Sequence, residues 1–129
     1  MRKLKKILLI IWELPQNVLG FIFSKISRAK YLYDVNDAHV YVCDINGGLS
    51  LGRYIFIYDV FGMGEMVKHE YGHTIQSKYL GWLYLFVIGI PSFIWCNFFE
   101  EYRKKTGRTY SWFYTESWAD KLGGVERED

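Results

Sequence analysis

Residues 65–78 read EMVKHEYGHTIQSK, and the predicted fold is built around this stretch. It follows a Gly62-Met63-Gly64 break and contains no proline, which predicts a helix. Residues four apart on a helix lie about 40° apart around its axis, so His69 and His73 project from one face. Two imidazoles on one face can bind the same ion, so the remaining segments are expected to supply the other groups of such a site.

His69-Glu70-Tyr71-Gly72-His73 matches the pattern H-E-x-x-H, in which two histidines bind a metal ion and the glutamate serves as general base. The chain has only 3 histidines, so two of them belong to this motif. Gly72 costs about 1 kcal/mol of helix propensity relative to alanine, so we expect another backbone or a substrate to approach it closely. The alternative is that both histidines are polar residues on an exposed helix face.

A catalytic zinc ion usually has three protein ligands, so a third one is needed. The candidates are His39, Glu100, Glu101 and Glu116. Glu116 is favoured because it begins the segment ESWAD, in which Glu116 and Asp120 are four apart and share a helix face. Glu116 can then bind the metal while Asp120 accepts the free ring N–H of a ligand histidine. The alternatives are a solvated helix carboxylate for Glu116 and a surface or strand position for His39.

H-E-x-x-H followed at a distance by E-x-x-A-D resembles the gluzincin metallopeptidases. It is most similar to their membrane-embedded type, which includes the prenyl-protein (CAAX) endopeptidases, where apolar helices separate the two motifs. The resemblance implies a zincin-like domain with zinc ligands at His69, His73 and Glu116, a general base at Glu70 and a supporting carboxylate at Asp120. This chain is much shorter than those enzymes, so their substrate class does not carry over.

Residues 38–59 are rich in valine, isoleucine, tyrosine and phenylalanine. Two such runs, Ala38–Ile45 and Leu49–Asp59, are separated by Asn46-Gly47-Gly48, which is a turn signal. The pattern predicts a β-hairpin over 38–59 that precedes the motif helix. An exposed edge of the second strand would suit an extended peptide substrate, held by strand addition.

Residues 79–99 form the longest uncharged run. A straight helix of this length would end about 30 Å from the motif helix, too far for Glu116 to return to the ion. A break at Gly89–Pro91 would instead give two arms of about eight residues, each about 12 Å long. We therefore expect a bent apolar helical hairpin over 79–99 and a third-ligand helix over 110–122. The alternative is that the aromatic run forms the core of a soluble domain.

Residues 1–30 alternate basic residues with two apolar arms, Ile7–Trp12 and Val18–Phe23. Each arm has about six residues, whereas a membrane span needs about 20, so an interfacial helix or a shallow hairpin bent at Pro15 is expected. Basic clusters flank the apolar segments at 2–6, 25–30 and 103–108. They predict a membrane-associated protein with its active site on the cytoplasmic side.

The composition excludes two classes of protein. Aromatic residues make up 19% of the chain and only 2 residues are proline, which is unlike a disordered chain. A net charge of +2 is too small to neutralise nucleic-acid phosphates, so no nucleic-acid partner is expected. Cys43 and Cys96 lack metal-type spacing and are expected to be free, mostly buried thiols.

Together these features predict one α+β domain, residues 1–129, that is a zinc-dependent peptidase acting on a peptide or protein. An oxyanion stabiliser is also required, and Tyr110 and Tyr114 are the nearest candidates, with packing as the alternative role of each. The competing classes are a non-catalytic zinc-binding module on a membrane and a small membrane-interacting toxin or immunity-type factor. A chain of this size buries a modest core, which leaves room for a homodimer or a larger partner.

Overall fold

The computed structural model describes residues 2–45, 48–58 and 63–125. The α-helices are α1 (Arg2–Trp12), α2 (Leu14–Ile26), α3 (Met63–Leu80), α4 (Ile90–Phe98), α5 (Glu100–Thr106) and α6 (Tyr114–Gly123). The strands are β1 (Lys30–Val35), β2 (Ala38–Val42), β3 (Leu49–Leu51) and β4 (Tyr54–Ile57). Short 3-10 turns occupy Gly81–Leu83 and Tyr110–Trp112, and a π-helical turn occupies Leu85–Gly89. The α+β class is confirmed, and the fold is mostly helical.

The four strands form one mixed sheet in the order β1-β2-β4-β3. β1 is antiparallel to β2 and β3 is antiparallel to β4, whereas β2 and β4 are parallel at the centre. The hairpin expected over 38–59 is therefore wrong, because its two halves meet through parallel strands and β3 lies at the edge. Asn46, Gly47 and Asp59, which belong to that prediction, lie outside the described residues.

Gly52 is the physical reason for the different pairing. Its φ of 63° reverses the chain, so that β3 and β4 form a hairpin of their own. A Cβ at Gly52 would lie 2.1 Å from Oδ1 of Asn17, and that oxygen accepts a hydrogen bond from the Arg53 N–H at 2.8 Å. The antiparallel position beside β2 is taken by β1, a strand that the sequence analysis did not assign.

The sheet is covered on both faces. Its central strands contribute Ala38, Val40, Ile55 and Ile57 to a buried cluster with Val67 of α3. Phe56 points to the opposite face, as alternate strand residues do, and packs edge-on against Phe23 of α2 with ring centroids 4.8 Å apart. The sheet thus fixes the position of α3, which carries the H-E-x-x-H motif.

α6 lies so close to α3 that their backbones touch. A Cβ at Gly72 would lie 1.8 Å from the carbonyl oxygen of Ala119, and a Cβ at Gly123 would lie 1.8 Å from that of Lys68. The close approach of another backbone, one of the two explanations expected for Gly72, is confirmed.

The bend in the apolar segment was expected at Gly89–Pro91, but it lies near Gly81. The helical path turns by 119° between residues 83 and 85. Gly81 has a φ of 55°, and a Cβ there would lie 2.2 Å from the Trp12 ring, so both the backbone conformation and the space favour glycine. Pro91 lies in the first turn of α4, where proline is tolerated.

Within the described ranges, no single helix is both long and apolar enough to cross a membrane. Two pairs of segments, within 2–26 and 64–98, reach that length and apolarity only together, across bends of 83° and 119°. The first bend falls at Glu13 rather than at Pro15, which stands in the first turn of α2. Cys43 and Cys96 are both free, as expected, but Cys43 is half-buried and Cys96 is exposed.

We expect Gly72→Ala to lower the free energy of unfolding by about 2–3 kcal/mol, because the added methyl group would overlap backbone atoms of α6. Gly64→Ala is the matched control, since Gly64 lies in the same helix with no neighbour within 4 Å of its Cβ position. This control should be stabilised by up to about 1 kcal/mol through helix propensity. Urea unfolding measures both changes, and equal stability of Gly72→Ala and the native chain would contradict the backbone contact.

Candidate metal centre

Three buried side chains from two helices converge where α3 and α6 meet. His69 and His73 project from one face of α3, and Glu116 projects from the first turn of α6. Oε1 of Glu116 lies 3.3 Å from Nε2 of His69 and 3.2 Å from Nε2 of His73. One ligand atom from each residue falls within 4.8 Å of the others. This group could hold a metal ion.

The distances suit a small tetrahedral ion. Nitrogen and oxygen ligands at about 2.05 Å from such an ion, separated by the tetrahedral angle, lie about 3.3 Å apart. The two N–O separations agree with this value, and the ligand atoms of the two histidines lie within 4.8 Å of each other. The three ligand atoms are therefore close enough for one ion to contact them all.

Each histidine is held through its other ring nitrogen. The Nδ1–H of His69 donates to Oδ1 of Asp120 at 2.5 Å, and the Nδ1–H of His73 donates to Oε1 of Gln76 at 2.7 Å. The Gln76 amide is itself oriented, because its Nε2 donates to the Thr115 carbonyl at 3.0 Å. Each Nε2 is thereby directed towards Glu116 Oε1, the position where a metal ion could replace the hydrogen bonds between them.

Glu116 is oriented in the same way. Its Oε2 accepts hydrogen bonds from the hydroxyl groups of Thr115 at 2.6 Å and Ser92 at 2.9 Å. The other carboxylate oxygen, Oε1, is the one that faces the two histidines. The side chain is 1% exposed, so its position depends on these contacts rather than on water.

The charged groups of the site shift one another's pKa values. Burial acts to lower the pKa of His69, but its hydrogen bond to Glu116 and the charge of Glu70 outweigh burial and raise the pKa to about 9. Burial acts to raise the pKa of Glu116, yet its hydrogen bonds to His69 and His73 hold the pKa well below its usual range. The site thus combines the ionised carboxylate of Glu116 with imidazoles whose pKa is raised. A bound cation could take over the role of their positive charge beside that carboxylate.

Glu70 lies beside the three candidate ligands and is 5% exposed. Its Oε2 is 4.0 Å from Nε2 of His69, which is too far for a direct hydrogen bond. Burial raises the pKa of the Glu70 carboxyl, while His73 and His69 partly offset the increase. A carboxylate with a raised pKa holds a proton more firmly, so it can both accept and return one.

A cavity of about 740 Å³ opens in front of the site. The motif residues and Glu116 form its polar wall, and apolar side chains from β3, α4 and the π-helical turn line much of the rest. β3 is both an edge strand of the sheet and part of this lining. The cavity is therefore bordered by a strand edge, an apolar wall and a cluster of ionisable groups.

The two tyrosines named from the sequence have different positions. Tyr110 lines the cavity, where burial and the charge of Glu116 raise the pKa of its phenol. Tyr114 does not line it, and its hydroxyl donates to the Val87 carbonyl at 2.7 Å. The α-helical donor for that carbonyl would be residue 91, a proline, which has no N–H. Tyr84, which the sequence analysis missed, lines the cavity and is 3% exposed.

The other candidates for the third ligand do not belong to the group that could bind a metal ion. His39 lies on β2, and its Nδ1 is 2.7 Å from Oδ1 of Asp34. Glu100 and Glu101 lie exposed on α5, where Glu100 pairs with Lys104. Gln76 was missed, although its position three residues after His73 places it on the same helix face.

No protein-family model, curated protein or solved structure matches this chain.

We expect the purified chain to bind about one divalent metal ion, with Glu116→Ala losing the ion or binding it at least a hundredfold more weakly. Glu101→Gln is the control, since it removes an exposed carboxylate outside the site. Elemental analysis after purification without chelator measures the metal content. Equal metal content in Glu116→Ala and Glu101→Gln would exclude Glu116 as a ligand.

Gln76→Met is expected to weaken metal binding by about 10- to 100-fold, because the Nδ1–H of His73 loses its acceptor. Gln16→Met is the control, since Gln16 is a buried glutamine whose Nε2 donates to Ser77 Oγ and the Gly81 carbonyl, away from the metal group. It should destabilise the fold without changing affinity. Competition with a chromophoric chelator gives the affinities, and the same affinity for both variants would contradict the orienting role of Gln76.

Proposed function

We propose that this chain is a zinc-dependent peptidase. The observation that carries the proposal is the position of Glu70, a buried carboxylate that borders both the candidate metal group and the cavity. A site whose ion only stabilises the fold needs no such carboxylate next to its ligands. The same residues are those that the resemblance to gluzincin peptidases implies as ligands, base and supporting carboxylate.

Zinc is the ion that the ligand chemistry favours. Two imidazoles and one carboxylate are a common ligand set of catalytic zinc, which leaves one position open. Bound zinc would polarise the carbonyl of the scissile peptide bond and lower the pKa of the attacking water. The residues named below would supply the remaining proton transfers and contacts.

Glu70 would act as the general base and then as the general acid. Its carboxylate would take a proton from the attacking water and return it to the leaving amine. The raised pKa of Glu70 suits this exchange, because a proton taken up by a weakly basic carboxylate would be lost too readily.

Tyr110 and Tyr84 would provide hydrogen bonds to the oxygen on which negative charge develops. Burial raises the pKa of both phenols, so both remain protonated and able to donate at neutral pH. Tyr110 is favoured because it is 38% exposed and thus accessible to substrate, whereas Tyr84 is almost completely buried. Tyr114, whose hydroxyl is engaged outside the cavity, has no part in this proposal.

The substrate would be an extended peptide held along β3. Edge strands carry unpaired N–H and carbonyl groups, which bind an extended chain by strand addition. β3 lies at the sheet edge that borders the cavity, so a peptide added there would pass in front of Glu70. The apolar wall opposite favours apolar side chains in the substrate.

We expect Glu70→Gln to abolish hydrolysis while retaining zinc, because glutamine keeps the shape of glutamate but cannot accept the proton. The loss should be at least about a thousandfold in kcat. Mass spectrometry of an unbiased peptide mixture, incubated with each zinc-loaded chain, detects new peptide ends. Glu101→Gln, with the same change of charge, should cleave like the native chain.

Two results would refute the proposal. The first is a native chain that is fully loaded with zinc and produces no new peptide ends, which would leave a non-catalytic metal site. The second is equal cleavage by Glu70→Gln and the native chain, which would assign the activity to another residue or to a contaminant.

A further inference from the structure

α2 has its polar side inside and its apolar side outside. The residues that it buries are Gln16, Asn17, Gly20 and Ser24, whereas its exposed large side chains are all apolar apart from Lys25. The exposed set comprises Leu14, Val18, Leu19, Phe21, Ile22 and Ile26. A surface helix of a water-soluble protein has the opposite arrangement. This side of the chain is therefore built to face an apolar phase.

α1 extends the same surface. Leu4, Ile7, Leu8 and Ile11 recur at helical spacing, so they form one stripe, and each is more than half exposed. No residue of α1 is buried. On the other side of the helix stand four basic residues and no acidic one, Arg2, Lys3, Lys5 and Lys6. A short helix with an apolar stripe and a basic opposite face is typical of segments that lie in the membrane interface.

The bend after α3 joins this surface. The indole N–H of Trp82 donates to the Ile11 carbonyl at 2.9 Å, and that of Trp12 donates to the Lys78 carbonyl at 2.8 Å. Trp82, Leu83 and Phe86 are each more than half exposed. Tryptophan is enriched at the level of the lipid headgroups, where its ring is apolar and its N–H is polar.

Basic residues border the apolar surface beyond α1 as well. Lys25, Arg28 and Lys30 are exposed at and after the end of α2. Because each lysine or arginine near an anionic membrane strengthens binding, this border complements negatively charged lipid headgroups. An apolar protein partner would leave those charges without counter-charges.

We propose that the exposed apolar residues of α1, α2 and 82–86, which we call the docking surface, bind the surface of an anionic lipid bilayer. The apolar stripes would enter the headgroup boundary and the bordering basic residues would contact the headgroups. Ile90 and Phe93 follow Phe86 at helical spacing, so they extend the exposed apolar side that Phe86 belongs to. Both residues also line the cavity. A docked chain would therefore hold one rim of the cavity towards the lipid.

The test is flotation of the full chain with vesicles after detergent removal. Vesicles of phosphatidylcholine and phosphatidylserine should carry the native chain, and binding should fall at high salt because the charges are screened. Lys5→Gln/Lys6→Gln should weaken partition by about 30-fold, at about fivefold per lysine. Ile7→Gln/Ile22→Gln should weaken it at least tenfold by removing buried apolar area.

Two matched controls test whether the effect belongs to this surface. Lys68→Gln/Lys121→Gln removes two exposed charges elsewhere, and Trp112→Gln removes an aromatic ring in the 3-10 turn before α6 that is nearly as exposed as Ile7. Both should partition within about twofold of the native chain. Circular dichroism verifies that each variant is folded, and the measurement involves neither metal nor hydrolysis.

Three outcomes would overturn the proposal. The first is a native chain that does not float with anionic vesicles, and the second is flotation of the surface variants equal to that of the controls. The third is conversion of a dimer into a monomer by Ile7→Gln/Ile22→Gln without a change in flotation, which would identify the surface as a contact between copies. None of these results bears on whether the metal site is catalytic.

Discussion

The contact between the backbones of α3 and α6 is the constraint on which the metal group depends. Gly72 lies between His69 and His73 in sequence, and Ala119, its contact, lies between Glu116 and Asp120. The point of closest approach is therefore bordered on each helix by the residues that form the site. A side chain at Gly72 would separate the helices and move Glu116 away from both imidazoles. The low helix propensity of glycine is the cost of bringing a carboxylate on one helix within reach of histidines on another.

Burial makes the polar contacts of this site mutually dependent. An isolated carboxylate or imidazolium in such a place would be strongly disfavoured, so each group is stabilised only by the others. Glu116 is held by two hydroxyl groups, and the histidines are held by Asp120 and Gln76. Such a network fixes the positions of the candidate ligand atoms, which would lower the cost of ordering them if a cation binds.

Local periodicity was enough to predict which side chains meet in the candidate metal group but not the path of the chain around it. His69 with His73, and Glu116 with Asp120, are each four apart, so one helical turn decides their common face. The parallel pairing of β2 with β4 is decided by Gly52 and its contact with Asn17, a residue far away in sequence. Gly81, which lies shortly before the bend at residues 83–85, likewise has its conformation fixed where the Trp12 ring packs. Such contacts leave no local pattern, whereas proline does, and the bend was therefore predicted at Gly89–Pro91.

The direction of α2 illustrates a further limit of periodicity, which identifies two faces but does not say which one is inside. The polar face is inside because Gln16 and Glu13 both bind Ser77 of α3, while Asn17 binds the turn before β4. Because the polar side chains of α2 attach the helix to the domain, its apolar face is directed outwards. Ser77 follows Gln76, the residue that orients His73. The contacts that attach α2 to α3 therefore lie on the turn after His73, but they involve the Ser77 hydroxyl and not the glutamine that orients the imidazole.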